Sequence, residues 1–159
     1  MFYPDMSPYR ERNVIYPKVL NVGWLDSIHE YPKGIVSNKL CKKLKQLTLL
    51  ENYQTSRSAL VIHTNHVRYI YSCPLCHSDI ALYDEKRNEI MMLGINQIQI
   101  PSANKDYLFC APSLIYHFIT EHDYLPPYDF LEAIECFDIN TPFNCDKDGG
   151  YFNSKIEHA

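Results

Sequence analysis

No apolar stretch in this chain approaches the roughly 18 residues needed to span a membrane, and the N-terminal segment 1–13 is polar, with Pro4, Pro8, Arg10 and Arg12 where a secretory leader would be hydrophobic. A soluble, cytoplasmic protein is therefore expected. Glycine is scarce, at five residues in 159, and there is one tryptophan, Trp24. No internal repeat and no low-complexity block is present. Strong net charge is also lacking. The formal charge is −4 and the pI about 5.9, so bulk attraction to nucleic acid or to an anionic membrane is not expected.

What is present is uneven. Residues 1–80 carry ten Lys/Arg against six Asp/Glu, and residues 81–159 carry five against thirteen. Such a dipole can steer a charged partner. Thirteen Tyr and seven Phe serve core packing first, and a binding face second, because Tyr is enriched at interfaces. A chain of this length buries roughly 70% of its unfolded surface, so it does not need a metal for want of core. In a reducing compartment the six cysteines (41, 73, 76, 110, 136, 145) are thiols or ligands, not a disulfide framework.

Four residues form the strongest chemical signal. Cys73-Pro74-Leu75-Cys76 is a two-thiolate knuckle, and His117 and His122 lie far downstream. Two thiolates and two imidazoles complete a tetrahedral structural Zn2+ site. The histidine spacing carries a condition. Five residues at about 100° each leave the two rings about 140° apart on a regular helix, so the helix must distort or end between them. His63, His66, His77 and Cys110 are possible substitute ligands, and a redox dithiol remains an alternative for the cysteine pair.

Catalytic motifs fit poorly. Four protein ligands leave no open position for water. The inverted zinc-protease motif H-x-x-E-H needs one residue fewer than His117 to His122. The deaminase pattern needs H-x-E ahead of P-C-x-x-C, and here Pro74 lies inside the cysteine pair. Asp26 and His29 could pair as acid and base, although loop polar groups of this kind usually bond backbone. Asn144 opens a calcium-loop-like string whose twelfth position is Lys155, where a bidentate Glu is required.

Secondary structure can be placed coarsely. Residues 1–36 are Pro-rich and are expected to be irregular, pinned by a buried Trp24. A helix is expected from Ser37 or Asn38 to residue 50, with Leu40, Cys41, Leu44 and Leu47 inward. Strand-type runs fall at 59–63, 67–72, 80–83, 89–93, 95–100 and 107–110, the middle pair forming a hairpin around a charged turn. Pro112 is placed near the first position of a helix ending by Asp123, and Pro126 and Pro127 open a last helix over 128–137. These readings give an α+β fold, with a small antiparallel sheet carrying the zinc knuckle and packed by the C-terminal helices through Leu114, Phe118, Ile134 and Phe137. Residues 1–137 are expected to form one zinc-stabilised domain, and 138–159 an acidic tail that is partly disordered.

Several segments together resemble an uncharacterised family of small bacterial proteins. They are Phe2-Tyr3-Pro4-Asp5-Met6-Ser7-Pro8-Tyr9, then Asn21-Val22-Gly23-Trp24-Leu25-Asp26 with His29, Tyr31, Pro32 and Gly34. Cys73-Pro74-Leu75-Cys76 and Leu93-Gly94 follow. The last are Ala111-Pro112-Ser113-Leu114-Ile115-Tyr116-His117, and His122-Asp123-Tyr124-Leu125-Pro126-Pro127 with Phe130 and Ala133. The family usually carries Gly where this chain has Asp123. The resemblance implies a shared metal-bound architecture and no activity.

The leading functional expectation is a non-catalytic, zinc-stabilised protein-binding module, in one version an immunity or accessory protein that masks a partner. The alternative is nucleic-acid binding. Residues 31–50 hold Lys33, Lys39, Lys42, Lys43 and Lys45 and no carboxylate, with His66, Arg68, Tyr69 and Tyr71 as stacking neighbours. The last four lysines are equally the candidate contacts for a protein partner. A zinc-assisted enzyme is the third reading.

Overall fold

The computed structural model describes residues 2–51, 72–140, 143 and 149–157. Its elements are β1 (Pro8–Glu11), β2 (Val14–Asn21), α1 (Asn38–Glu51), β3 (Ala81–Asp84), β4 (Glu89–Met92), β5 (Gln97–Pro101), β6 (Leu108–Pro112), α2 (Ile115–Glu121), α3 (Tyr128–Cys136) and β7 (Ile156–Glu157). The fold is α+β, as the sequence pattern implies. The strand expected at 59–63, nearly all of that at 67–72, and His63, His66, Arg68, Tyr69 and Tyr71 lie outside the described residues.

The expected antiparallel sheet is instead mixed. Five strands run in the order β1-β2-β6-β5, with β7 also on β2. The β2–β6 pair is parallel, Val19 opposite Leu108 and Asn21 opposite Cys110, and the other pairs are antiparallel. The cysteine knuckle lies outside this sheet and leads into a separate β3–β4 hairpin.

The N-terminal region is a correction. Residues 8–21 are not irregular but supply two strands, one of them central. Their prolines conceal this. The register of β1 on β2 breaks between Pro8 and Tyr9, which pair with Leu20 and Tyr16, so Pro17 sits in the resulting bulge. A proline without an N–H is tolerated there because no ladder bond is lost.

Alternation on β6 divides the core. Phe109 and Ala111 join Leu20, Ile98 and Ile100 beneath the helices, while Leu108 and Cys110 join Tyr9, Val19 and Tyr151 on the other face. On the helical side α1 buries Leu44, Leu47 and Thr48, α2 buries Ile115, Phe118 and Ile119, and α3 buries Phe130, Ala133 and Ile134. Leu114 is also buried and Phe137 half-buried. Phe130 meets Phe109 edge-on at 5.9 Å, a contact whose truncation to Ala costs about 3–5 kcal/mol. Ser37 caps α1, its Oγ accepting from the Leu40 N–H. Part of the acidic C-terminal segment is packed: Tyr151 is buried, its hydroxyl donating to the Lys105 carbonyl, and β7 pairs with the start of β2.

Trp24 is half-buried rather than fully enclosed, and its Nε1–H donates to the Cys110 carbonyl. Asp5 ties this region to the C-terminal half. Its carboxylate accepts the Gly23 N–H at 2.9 Å and the hydroxyl of fully buried Tyr124 at 2.8 Å. Burial and the adjacent carboxylate push the Tyr124 hydroxyl far above its usual pKa. A strap then follows the end of α2. Lys33 bridges Tyr124, the Gly34 N–H donates to Asp123, and the Leu125 N–H donates to Pro32. A Cβ on Gly34 would lie 2.8 Å from the Leu125 Cδ2, so a larger residue there would make the Leu125 side chain shift.

Candidate metal centre

The knuckle is a tight turn closed by its own backbone. The Cys73 N–H donates to Ser78 and the His77 N–H donates back to Cys73, while the Leu75 N–H points at the Cys73 Sγ. Leu75 packs on the main core and Cys73 is fully buried, which fixes the turn from beneath. His77 has φ of 61°, the left-handed conformation that lets the chain leave the turn at once.

The helix carrying the histidines ends where convergence of the two rings requires. Pro112 is the last residue of β6 rather than a helical position, so α2 starts three residues later than expected and has only seven residues. His122 is its C-cap, with φ −121° and ψ 13°, and Asp123 follows at φ 54°. The His122 and Tyr124 N–H groups both donate to the Phe118 carbonyl, satisfying the end of the helix. Departure from helical geometry at His122 removes the offset that a regular helix would impose and brings its ring to 4.8 Å from that of His117. The Tyr31 hydroxyl donates to the His122 carbonyl and holds it from the strap.

Cys73, Cys76, His117 and His122 thus converge, all four donor atoms lying within 4.8 Å of one another. The Cys73 Sγ is 3.4 Å from the His122 Nε2, the Cys76 Sγ is 3.5 Å from the His117 Nε2, and the two Nε2 atoms are 3.1 Å apart. Cys73 and His117 are buried, Cys76 is exposed and His122 is intermediate. Burial pushes the Cys73 thiol up. The Ser78 N–H, then the His117 and His122 rings, bring the Cys76 thiol down to about 6. Four lone-pair donors aimed at one point repel one another unless a cation lies between them. The group could therefore bind a metal ion, and thiolate with imidazole is a soft to borderline donor set.

The other candidate residues are elsewhere. Cys110 is buried in β6, its Sγ donating to the Gln97 Oε1. His77 is exposed and outside the converging set. Asp26 accepts the Ile28 and His29 N–H groups and the His29 ring, which stacks on Phe2 at 3.9 Å. The His29 N–H foremost holds the Asp26 carboxyl below its usual range. This pair braces a loop. Lys155 ion-pairs with Glu157, and residues 144–148 of the calcium-like string lie outside the described residues. Of the lysines, Lys39 and Lys42 are exposed and Lys43 and Lys45 half-buried. The Lys43 Nζ is engaged with the Glu135 carbonyl at 2.7 Å, in the last turn of α3. That helix, which packs on α1, presents Asp129, Glu132 and Glu135. The strap was not foreseen as part of the site, although Tyr31, Pro32 and Gly34 belong to the segments shared with the uncharacterised family.

Residues 1–135 match a domain of unknown function, DUF7919. The chain belongs to that family. The match spans the knuckle, both histidines and most of α3, so the converging residues all lie within the DUF7919 domain. No curated protein and no solved structure matches the chain. Among the described residues no helix is long and apolar enough to cross a membrane.

Proposed function

We propose that Cys73, Cys76, His117 and His122 hold a structural zinc ion, and that this DUF7919 protein is a non-catalytic protein-binding module. The donor spacing carries the metal reading. A tetrahedral zinc with bonds of about 2.3 Å to sulfur and 2.05 Å to nitrogen sets neighbouring donors about 3.6 Å (S to N) and 3.3 Å (N to N) apart. Three of the six donor pairs, at 3.4, 3.5 and 3.1 Å, are within about 0.2 Å of these values, and all four atoms lie within 4.8 Å of one another. Zinc bound by four side chains has no free position for water, which argues against zinc-assisted catalysis. Its role is to join the knuckle to the end of α2. Thiolate ligands suit a reducing compartment such as the cytoplasm.

Protein binding is supported by what this closed centre leaves outside it. Ile35 is 94% exposed and Tyr128, at the head of the acidic α3, is 75% exposed. An exposed aromatic group on a helix that carries Asp129, Glu132 and Glu135 suits a basic protein surface. The concrete version is an immunity or accessory protein that masks its partner. Zinc should be found at one equivalent by elemental analysis of protein purified without added metal. A stoichiometric protein should copurify from native lysate and be lost with Tyr128→Ala and Glu132→Lys. Zinc-loaded protein that recovers no such partner would remove the binding reading and leave the metal reading intact.

A further inference from the structure

The four-residue centre is asymmetric in a way that a purely structural ion does not require. Cys73 and His117 are buried, whereas Cys76 is open to solvent. The two sulfurs belong to one short turn, within 4.8 Å of each other. Among the described residues the other cysteines offer no such pairing: Cys110 bonds Gln97 on the opposite face of the sheet, Cys41 is half-buried on α1, and Cys136 ends α3.

We infer that Cys76 and Cys73 form a peroxide-sensitive release for the ion, Cys76 as the reacting thiolate and Cys73 as the resolving one. This rests on the zinc reading above. Zinc keeps both sulfurs deprotonated, and thiolate is the nucleophilic form. The exposed Cys76 Sγ attacks one oxygen of hydrogen peroxide. The O–O bond breaks, Cys76 becomes a sulfenic acid and hydroxide leaves. The buried Cys73 Sγ, which the reagent cannot reach directly, then attacks the Cys76 sulfur. The S–S bond forms, the S–O bond breaks and a second hydroxide leaves. Two protons from solvent convert the hydroxides to water, so two thiolates lose two electrons and one peroxide gains them. The zinc ion is not oxidised. It keeps two imidazoles, too few to hold it, and departs. The knuckle is then no longer fastened to the His122 end of α2, where Tyr31 and the strap are attached.

The test uses the full-length, zinc-loaded protein titrated with hydrogen peroxide, with free zinc followed by a colorimetric chelator. One zinc should leave per peroxide consumed. The denatured mass should fall by two hydrogens, and peptide mapping should place the disulfide at Cys73–Cys76. A thiol reductant with added zinc should restore the starting state. The combined Cys41→Ser, Cys136→Ser and Cys145→Ser variant should release zinc with the same stoichiometry. Retention of zinc, a disulfide in any other pair, or zinc loss with unlinked oxygenated sulfurs would overturn the inference. Protein isolated without zinc before any oxidant is added would instead overturn the metal reading beneath it.

Discussion

Replacing Cys73 by Ser would isolate the contribution of the proposed ion, because the hydroxyl nearly matches the thiol in size but is a poor ligand. Cys73 is fully buried, and its Sγ is 3.4 Å from the His122 Nε2. The five-stranded sheet supplies none of the four donors, so the variant should still fold. It should lose what zinc adds by binding only the native state. At free zinc about 1,000 times the dissociation constant, that is about 4 kcal/mol. For a chain of this size each kcal/mol shifts the melting temperature by about 2–4 °C, giving a fall of about 8–16 °C. Thermal melts of wild type with zinc, wild type with chelator and Cys73→Ser with zinc provide the comparison. The second and third curves should lie together, well below the first. A variant within about 2 °C of wild type, a difference under about 1 kcal/mol, together with no response to chelator, would refute a structural metal at this position.

Further expectations follow from residues other than the four candidate ligands. Burial, helped by Cys110, pushes the Tyr9 hydroxyl up to about 12. The unfolded chain ionises first, so stability should be full below about pH 10 and decline through pH 12, by about 2–3 kcal/mol from this group; denaturant melts across that range should show a shallower decline for Tyr9→Phe. Gly23 has φ of 76°, and an added Cβ would lie 2.8 Å from the Ile115 Cδ1. Gly23→Ala should therefore lose about 2 kcal/mol or more in chemical denaturation. Asp123→Gly should gain up to about 1 kcal/mol, because Asp123 holds a left-handed conformation that glycine adopts without strain; a loss of stability would show that its side chain, not its backbone, matters there.

The parts of this molecule that could be read from sequence are those set by side-chain chemistry or by short-range periodicity. Cys73, Cys76, His117 and His122 stand out by ligand type, and the angular mismatch of the histidines indicated that the helix must distort or end between them; α2 ends at Glu121, with His122 as its C-cap. Ser37, Leu44 and Leu47 marked α1, and the charged turn read at 84–88 marked the β3–β4 hairpin, although Asp84 itself ends β3. What was hidden depends on distant partners. Strand β2 reads as irregular because Pro17 interrupts it, and only the bulge opposite β1 accommodates that proline. Pro112 resembles a helix opener locally, yet it pairs with Gln97 as the end of β6. Tyr151 lies in an acidic, glycine-containing segment and is nevertheless buried, because the face of the sheet opposite the helices needs covering. Tyr31 carries no sign that its hydroxyl holds the His122 carbonyl, a contact across 91 positions.

The parallel pairing of β2 with β6 has a consequence for synthesis. The N-terminal strands emerge from the ribosome first, but the neighbour they need, beginning at Leu108, emerges much later. Trp24 waits for Cys110 across 86 positions, and Asp5 waits for Tyr124 across 119. A nascent chain halted before Leu108 therefore shows an unpaired central strand edge and an incomplete metal set, with two cysteines and neither histidine. Such an edge invites association with other chains. Productive assembly is expected to be late and nearly all-or-none, with the proposed zinc ion captured only once α2 has been made.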